Sequence, residues 1–176
     1  MELTQEYLKQ CLDYNPDTGV FTWKIRPLHH FENSHRMNRA NSEFSGKSCG
    51  FIRKDGYVAI KINTKAYKAH RLAWLYVYGI NPENQVDHVN GFKSDNRILN
   101  LRAATNSQNC ENQKKAKSNN IVGLLGVSKA YGKRNGFISR IQVNGKQKNI
   151  GYFPTAEEAH EAYILAKREL HGHNTL

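Results

Sequence analysis

Residues 85–112, QVDHVNGFKSDNRILNLRAATNSQNCEN, leave the chain few ways to fold. Val86 and Val89 flank Asp87-His88 in a strand-like setting, and Asn90-Gly91 is a tight-turn dipeptide, so strand, turn and return strand are expected. Ile98, Leu99 and Leu101 supply apolar anchors, and Thr105 is placed to cap a short helix over 106–112. A hairpin packed on a helix results. That scaffold can set Asp87 and Asn109 on either side of one ion, with His88 on the opposite strand face. A carboxylate and a carboxamide oxygen are hard donors that leave positions open for water and phosphate oxygens. This suits Mg²⁺ or Mn²⁺, one ion per site, and not a closed zinc site. An imidazole beside them is placed to act as a general base.

Charge narrows the partner. The 176 residues carry 26 Lys+Arg against 15 Asp+Glu, a net of +11, which favours an anionic partner. Its position matters more than its size. Between Gln113 and Ile150 lie nine basic residues and no Asp or Glu, whereas from Gly151 onward two basic residues face four acidic ones. A field concentrated in one short segment is what a phosphate-tracking surface needs. Three scattered cysteines (Cys11, Cys49, Cys110) make neither a disulfide framework nor a zinc cluster and suit a reducing compartment. There is no apolar signal core at the start and no apolar run near about 18 residues, so no membrane association is expected and the location should be cytoplasmic.

Local patterns divide the chain. Thr4–Leu12 reads as a capped helix, Val20–Lys24 as a strand, and 26–50 as a polar loop, with nothing claimed for His29, His30 or His35. Tyr57–Asn63 and Ala66–Ala69 form a hairpin, and His70–Tyr78 a short buried helix closed by Gly79. The stretch 112–120, NQKKAKSNN, reads as a basic linker. Beyond it come strands around 125–127, 136–141 and 148–153, a turn at Asn144-Gly145, and a helix from Thr155 to about His171.

The Asp87-His88, Asn100 and Asn109 constellation resembles the HNH nuclease motif, in particular phage-type homing-endonuclease-like members with a ββα-metal core. Tyr14-x-Pro16-x-Thr18-Gly19 with Trp23, His70-Arg71-Leu72-Ala73-Trp74, and Asp95-Asn96-Arg97 are similar to flanking signatures of that family. The resemblance implies a metal-binding acid at Asp87, a water-activating base at His88 and a loop-bracing asparagine at Asn100, with Asn96 the alternative brace. It also implies that Asn109, as in HNN variants, completes the metal site. The tail, on the string Gly151-Tyr-Phe-x-Thr-Ala-Glu-Glu-Ala-x-x-Ala-Tyr, resembles the plant ethylene-response-factor type DNA-binding domain, which also occurs in mobile endonucleases. That family's sheet enters the major groove, which implies Lys129, Lys133, Arg134, Arg140, Gln142, Lys146 and Lys148 as DNA contacts. Arg71 is a candidate phosphate contact on the first module, with a helix-capping or packing role the equal alternative.

The expected architecture is therefore α+β. A ββα-metal HNH nuclease module spans 1–112 (motif core 85–112), a basic linker spans 113–121, and 122–176 form a three-stranded antiparallel sheet packed on one helix. The expected activity is metal-dependent nicking of double-stranded DNA by a monomer, a dimer being the alternative, giving 5′-phosphate and 3′-hydroxyl ends. A DNA-binding regulator with an inactive nuclease module is the main rival. An RNA-binding structural protein explains the charge but not the Asp87–Asn109 pattern.

Overall fold

The computed structural model describes residues 3–81, 83–131 and 135–172, and the chain divides into two compact units between Ala103 and Ala104. Lys133 and Arg134 lie outside the described residues.

The first unit opens with α1 (Gln5–Cys11), whose Thr4 hydroxyl accepts from the Tyr7 N–H as an N-cap. Strands β1 (Leu12–Tyr14), β2 (Phe21–Trp23) and, after α2 (Ser34–Phe44), β3 (Ser48–Cys49) make an antiparallel sheet in the order β1-β2-β3. A second antiparallel sheet joins β4 (Phe51–Ile52), β5 (Val58–Ile62) and β6 (Lys65–Lys68). Asn63 and Thr64, both with positive φ, turn β5 into β6. Helix α3 (Ala69–Tyr78) follows at once, burying Ala69, Leu72, Ala73 and Leu75 along one stripe. The core gathers Leu8, Leu12, Phe21, Ile60, Ile62, Leu72, Val86 and Leu101. Two strands, β7 (Gln85–His88) and β8 (Leu101–Ala104), form their own pair.

Two expectations need correction here. The 26–50 segment is not an irregular loop: it holds α2 and β3. Helix α2 buries nothing; it stands on its ends instead. The Asn33 side chain caps it by accepting from the Arg36 N–H. Asn41 clasps the main chain of Arg26 from both sides, accepting from its N–H at 3.0 Å and donating to its carbonyl at 2.9 Å. Secondly, Asn90-Gly91 does turn the chain, with the Gly91 N–H donating to the His88 carbonyl at 2.9 Å, but no return strand follows directly. The chain runs through a loop to β8 at Leu101, because Asn90 spends its side chain on that loop: it accepts from the Phe92 N–H and donates to the Asp95 carboxylate.

The second unit begins with α4 (Asn106–Glu111). Thr105 and Gln108 close a capping box at its start. Strands β9 (Val127–Lys129), β10 (Phe137–Val143) and β11 (Lys146–Phe153) form an antiparallel sheet with β10 central. Helix α5 (Ala156–Leu170) is capped by Thr155 and contacts all three strands. Ala159, Tyr163 and Ile141 are buried in this unit. The 113–121 segment is tied down within it: the buried Lys167 amine donates to the Gln113 carbonyl, and Asn120 donates to the Leu124 and Val127 carbonyls. Burial pushes that amine down to about 8.

Gly126 has φ +78, and a methyl there would overlap the Tyr163 ring, whereas Gly123 has φ +75 with open space around it. Gly126→Ala should cost about 3 kcal/mol and Gly123→Ala only about 1, the left-handed strain alone. Urea unfolding followed in the second unit measures both. Equal costs would mean that Tyr163 yields without penalty.

Candidate active site

The site grows from β7. Val86 enters the core and fixes the strand, and Asp87 and His88 follow it, both also buried. Each polar side chain meets a different partner. The Asp87 Oδ2 accepts from Arg102 Nη2 at 3.0 Å and from Nε at 3.3 Å, an ion pair between β7 and β8. The His88 ring stands edge-on to His70 at 4.9 Å and tilted against Tyr57 at 5.8 Å between centroids. Burial drives the His88 pKa below the ordinary value near 6.5. The Asn96 side chain, within hydrogen-bonding reach, and the carboxylates of Asp87 and Asp95 oppose that fall, and Lys68 adds to it.

The loop after His88 is held from its far end. Asn100 Oδ1 accepts from the Asn90 N–H at 3.0 Å, and its Nδ2 donates to the Asp95 carbonyl at 2.8 Å. Its main-chain carbonyl accepts from the Val89 N–H at 2.8 Å. Asp95 gathers the middle of the loop, taking Arg97 Nε at 2.8 Å and Nη2 at 2.6 Å; that guanidinium holds its carboxyl down to about 2. The 14–19 turn closes the other side. Tyr14 donates its hydroxyl to the Asn96 carbonyl at 2.7 Å, and the Ile98 N–H donates to the Pro16 carbonyl at 3.2 Å. Gly19 backs directly onto the same peptide: a Cβ there would lie 2.5 Å from Asn96 and Arg97 backbone atoms. So Tyr14, Pro16 and Gly19, which look like a separate signature in the sequence, hold the loop that carries Asn96.

Asp87, His88 and Asn100 are thus brought together in the first unit, with Arg71 half-buried in the first turn of α3. Asn109 sits on α4, in the second unit. Lys129, Arg140, Gln142, Lys146 and Lys148 are all exposed in the β9–β11 sheet. Register sorts them by face, since residues directly opposite share one side. Arg140 faces Asn149 and Gln142 faces Gln147, whereas Lys148 faces the buried Ile141. The wet face therefore also presents Gln147 and Asn149. Counting outward from Asn144-Gly145 would have found both.

Sequence reasoning also missed Arg102 as the Asp87 partner and the Tyr57–His70 surround of His88. A strand pairing and a packed helix create those contacts, and no local pattern encodes them. Among the described residues, no three His, Cys, Asp or Glu side chains gather as a metal-holding group. The Asp87 carboxylate is a hard donor, and it is ion-paired with Arg102.

His70 is 4% exposed, and burial, with His88 the next cause, lowers its pKa to about 3. The unfolded chain then takes up this proton near pH 6.5 while the folded chain stays neutral. Stability should be full above that pH and decline as pH falls toward 3, by about 2 kcal/mol at pH 5. Denaturant midpoints at pH 7.5 and 5 measure it, and His70→Gln should flatten the dependence. An equally steep His70→Gln profile would put the effect elsewhere.

Residues 67–110 match the family model described as HNH endonuclease, a span that holds Arg71, Asp87, His88, Asn100 and Asn109. Two proteins of Acanthamoeba polyphaga mimivirus, each described as an uncharacterized HNH endonuclease, are similar. One is 32% identical over 124 residues, 69% of this chain and 62% of its own. The other is 32% identical over 121 residues, 63% of this chain and 30% of its own. The chain thus spans less than two thirds of the length of either relative. No solved structure gives a significant match. On this evidence the chain carries an HNH endonuclease domain in residues 67–110.

Proposed function

We propose that the protein is a metal-dependent DNA endonuclease of the homing-endonuclease-like kind, which nicks duplex DNA to 5′-phosphate and 3′-hydroxyl ends. The observation that carries this reading is the buried Asp87-His88 pair on β7, inside the HNH-matching segment, with the following loop pinned by Asn100.

The chemistry follows from the residues. Burial keeps His88 neutral at pH 7, so its ring can take a proton from water. The resulting hydroxide attacks phosphorus in line with the 3′-oxygen, which departs. Asn100 acts through the loop, holding Asn90 and Asp95 so that the backbone beside His88 keeps one geometry. Asp87 suits a hard cation: it is a buried carboxylate that requires a positive partner, and Arg102 supplies one. Mg²⁺ or Mn²⁺ held by Asp87 and Asn109 would stabilise charge on the phosphate and the leaving oxygen. Support for Asn109 is its place in the motif and in the family match. The β9–β11 sheet is the targeting surface in this reading, an ethylene-response-factor-like module with Arg140 and Gln142 outward; Lys129 is exposed as well, while Lys146 and Lys148, opposite Val143 and Ile141, add charge from the other side of the sheet. Lys133 and Arg134 belong to the same proposed set by sequence.

One observation favours a second reading, a DNA-binding regulator with an inactive nuclease module: Arg102 already occupies an Asp87 oxygen. Supercoiled plasmid with Mg²⁺ or Mn²⁺ separates the two. Nicked circles should appear, and His88→Ala should slow their formation by roughly 10²–10⁴-fold. Equal nicking by the mutant, or none by the unmodified chain, would defeat the catalytic assignment. For the targeting surface, Arg140→Ala should weaken duplex binding by about 1–3 kcal/mol if the residue reads a base, and lower the salt slope by about 1 if it holds a phosphate. Unchanged affinity and slope would remove Arg140 from the interface.

A further inference from the structure

Three side chains without a role in that chemistry meet beside His88. Tyr57, just before β5, places its ring 5.0 Å from that of His70 and 5.8 Å from that of His88. Two ammonium groups converge on this one ring. Lys68 Nζ, from the end of β6, lies 3.9 Å from its centroid, and Lys93 Nζ, from the loop after β7, lies 4.9 Å away. Lys93 is also held by the Asp55 carbonyl, to which it donates at 3.0 Å, while the Asp55 carboxylate engages Arg53 at 3.2 Å and also feels the Lys68 charge. Among the described residues no ion pair joins Lys68 or Lys93 to a carboxylate.

The arrangement is informative because it opposes elementary electrostatics. Two like charges drawn to one aromatic ring repel each other, and the ring quadrupole offsets only part of that. An anion seated against both ammonium groups turns the repulsion into attraction. Lys68 stands over the ring that packs against His70 and His88, which places this charge at the site and not on a distant rim. Tyr57 stands outside the family-matched segment, so nothing in that match marks it.

We infer that Tyr57, Lys68 and Lys93 form a phosphate seat beside His88, taking the oxygens of a backbone phosphodiester next to the one attacked and so setting the register of the strand in the site. The inference rests on the nuclease reading for the identity of the attacked bond. The seat itself is a claim about binding.

The test uses the full chain and short duplexes. In the His88→Ala background, the Lys68→Gln/Lys93→Gln pair should lower the slope of log affinity against log salt by about 2, and the Lys→Arg pair should preserve it. In the active chain the Gln pair should raise KM about tenfold or more with kcat changed less than about threefold. Tyr57→Leu, which removes the ring that both ammonium groups stand over, should share part of the loss. A methylphosphonate walked along the strand should reproduce the Gln-pair loss at one phosphate and add nothing to it there. An unchanged salt slope in the Gln pair, or methylphosphonate losses that multiply with the Gln pair at every position, would overturn the seat. If the chain binds DNA but does not nick it, the catalytic reading falls and the slope still decides the seat. If it nicks with unaltered slopes, the seat falls alone.

Discussion

Asn100 is the interaction on which the rest of the site depends. The chain leaves β7 at His88 and does not return to a strand until Leu101, and in between it must satisfy backbone groups that no sheet partner reaches. One carboxamide does much of this. It accepts from the Asn90 N–H and donates to the Asp95 carbonyl, while the main-chain carbonyl of Asn100 takes the Val89 N–H. With Asn90 bonded to Phe92 and Asp95, and Asp95 bonded to Arg97, the loop becomes a connected polar network, in which each bond supports the geometry of the next. The 14–19 turn then locks it to the body of the unit through Tyr14 and Pro16.

The charges next to this loop follow from burial. Asp87 and His88 are neighbours in sequence but have opposite needs. A buried carboxylate must have a cation, which β8 provides as Arg102, whereas a buried imidazole is better off neutral among rings. The same desolvation that lowers the His88 pKa leaves it able to accept a proton at neutral pH. His70, more strongly shifted, is a neutral wall against it. The positive groups near this wall, Lys68 and Lys93, stand over the Tyr57 ring, so cationic and neutral roles are divided among neighbouring residues.

The second unit works on a simpler principle. A three-stranded sheet covers one helix and leaves its other face wet, and the pairing register decides which polar residues stand there. That register, not the lysine content, is why the face reads Arg140, Gln142, Gln147 and Asn149, groups with hydrogen-bonding forks rather than bare charge. Lys167 reaches into the segment that composition alone marks as a linker, and Asn120 reaches out of it, so both bind it to this unit.

What the sequence determined by itself was whatever short-range chemistry controls. Helix ends were legible because Thr4, Thr105 and Thr155 cap by local hydrogen bonds, and the β5–β6 and β10–β11 hairpins because alternation and turn residues are local. Asp87, His88 and Asn100 could be singled out because their spacing is a one-dimensional pattern. Helix α2 was not legible, since it buries no stripe and rests on Asn33 and on the Asn41–Arg26 clasp across fifteen residues. Nor was the fate of Asn90-Gly91, whose side chain chose a loop network over a ladder. Arg102 on Asp87, Tyr14 on Asn96, and two lysines on Tyr57 all join residues far apart in the chain. Only packing brings such partners into reach, so the electrostatic state of Asp87 and His88 was decided by the tertiary structure.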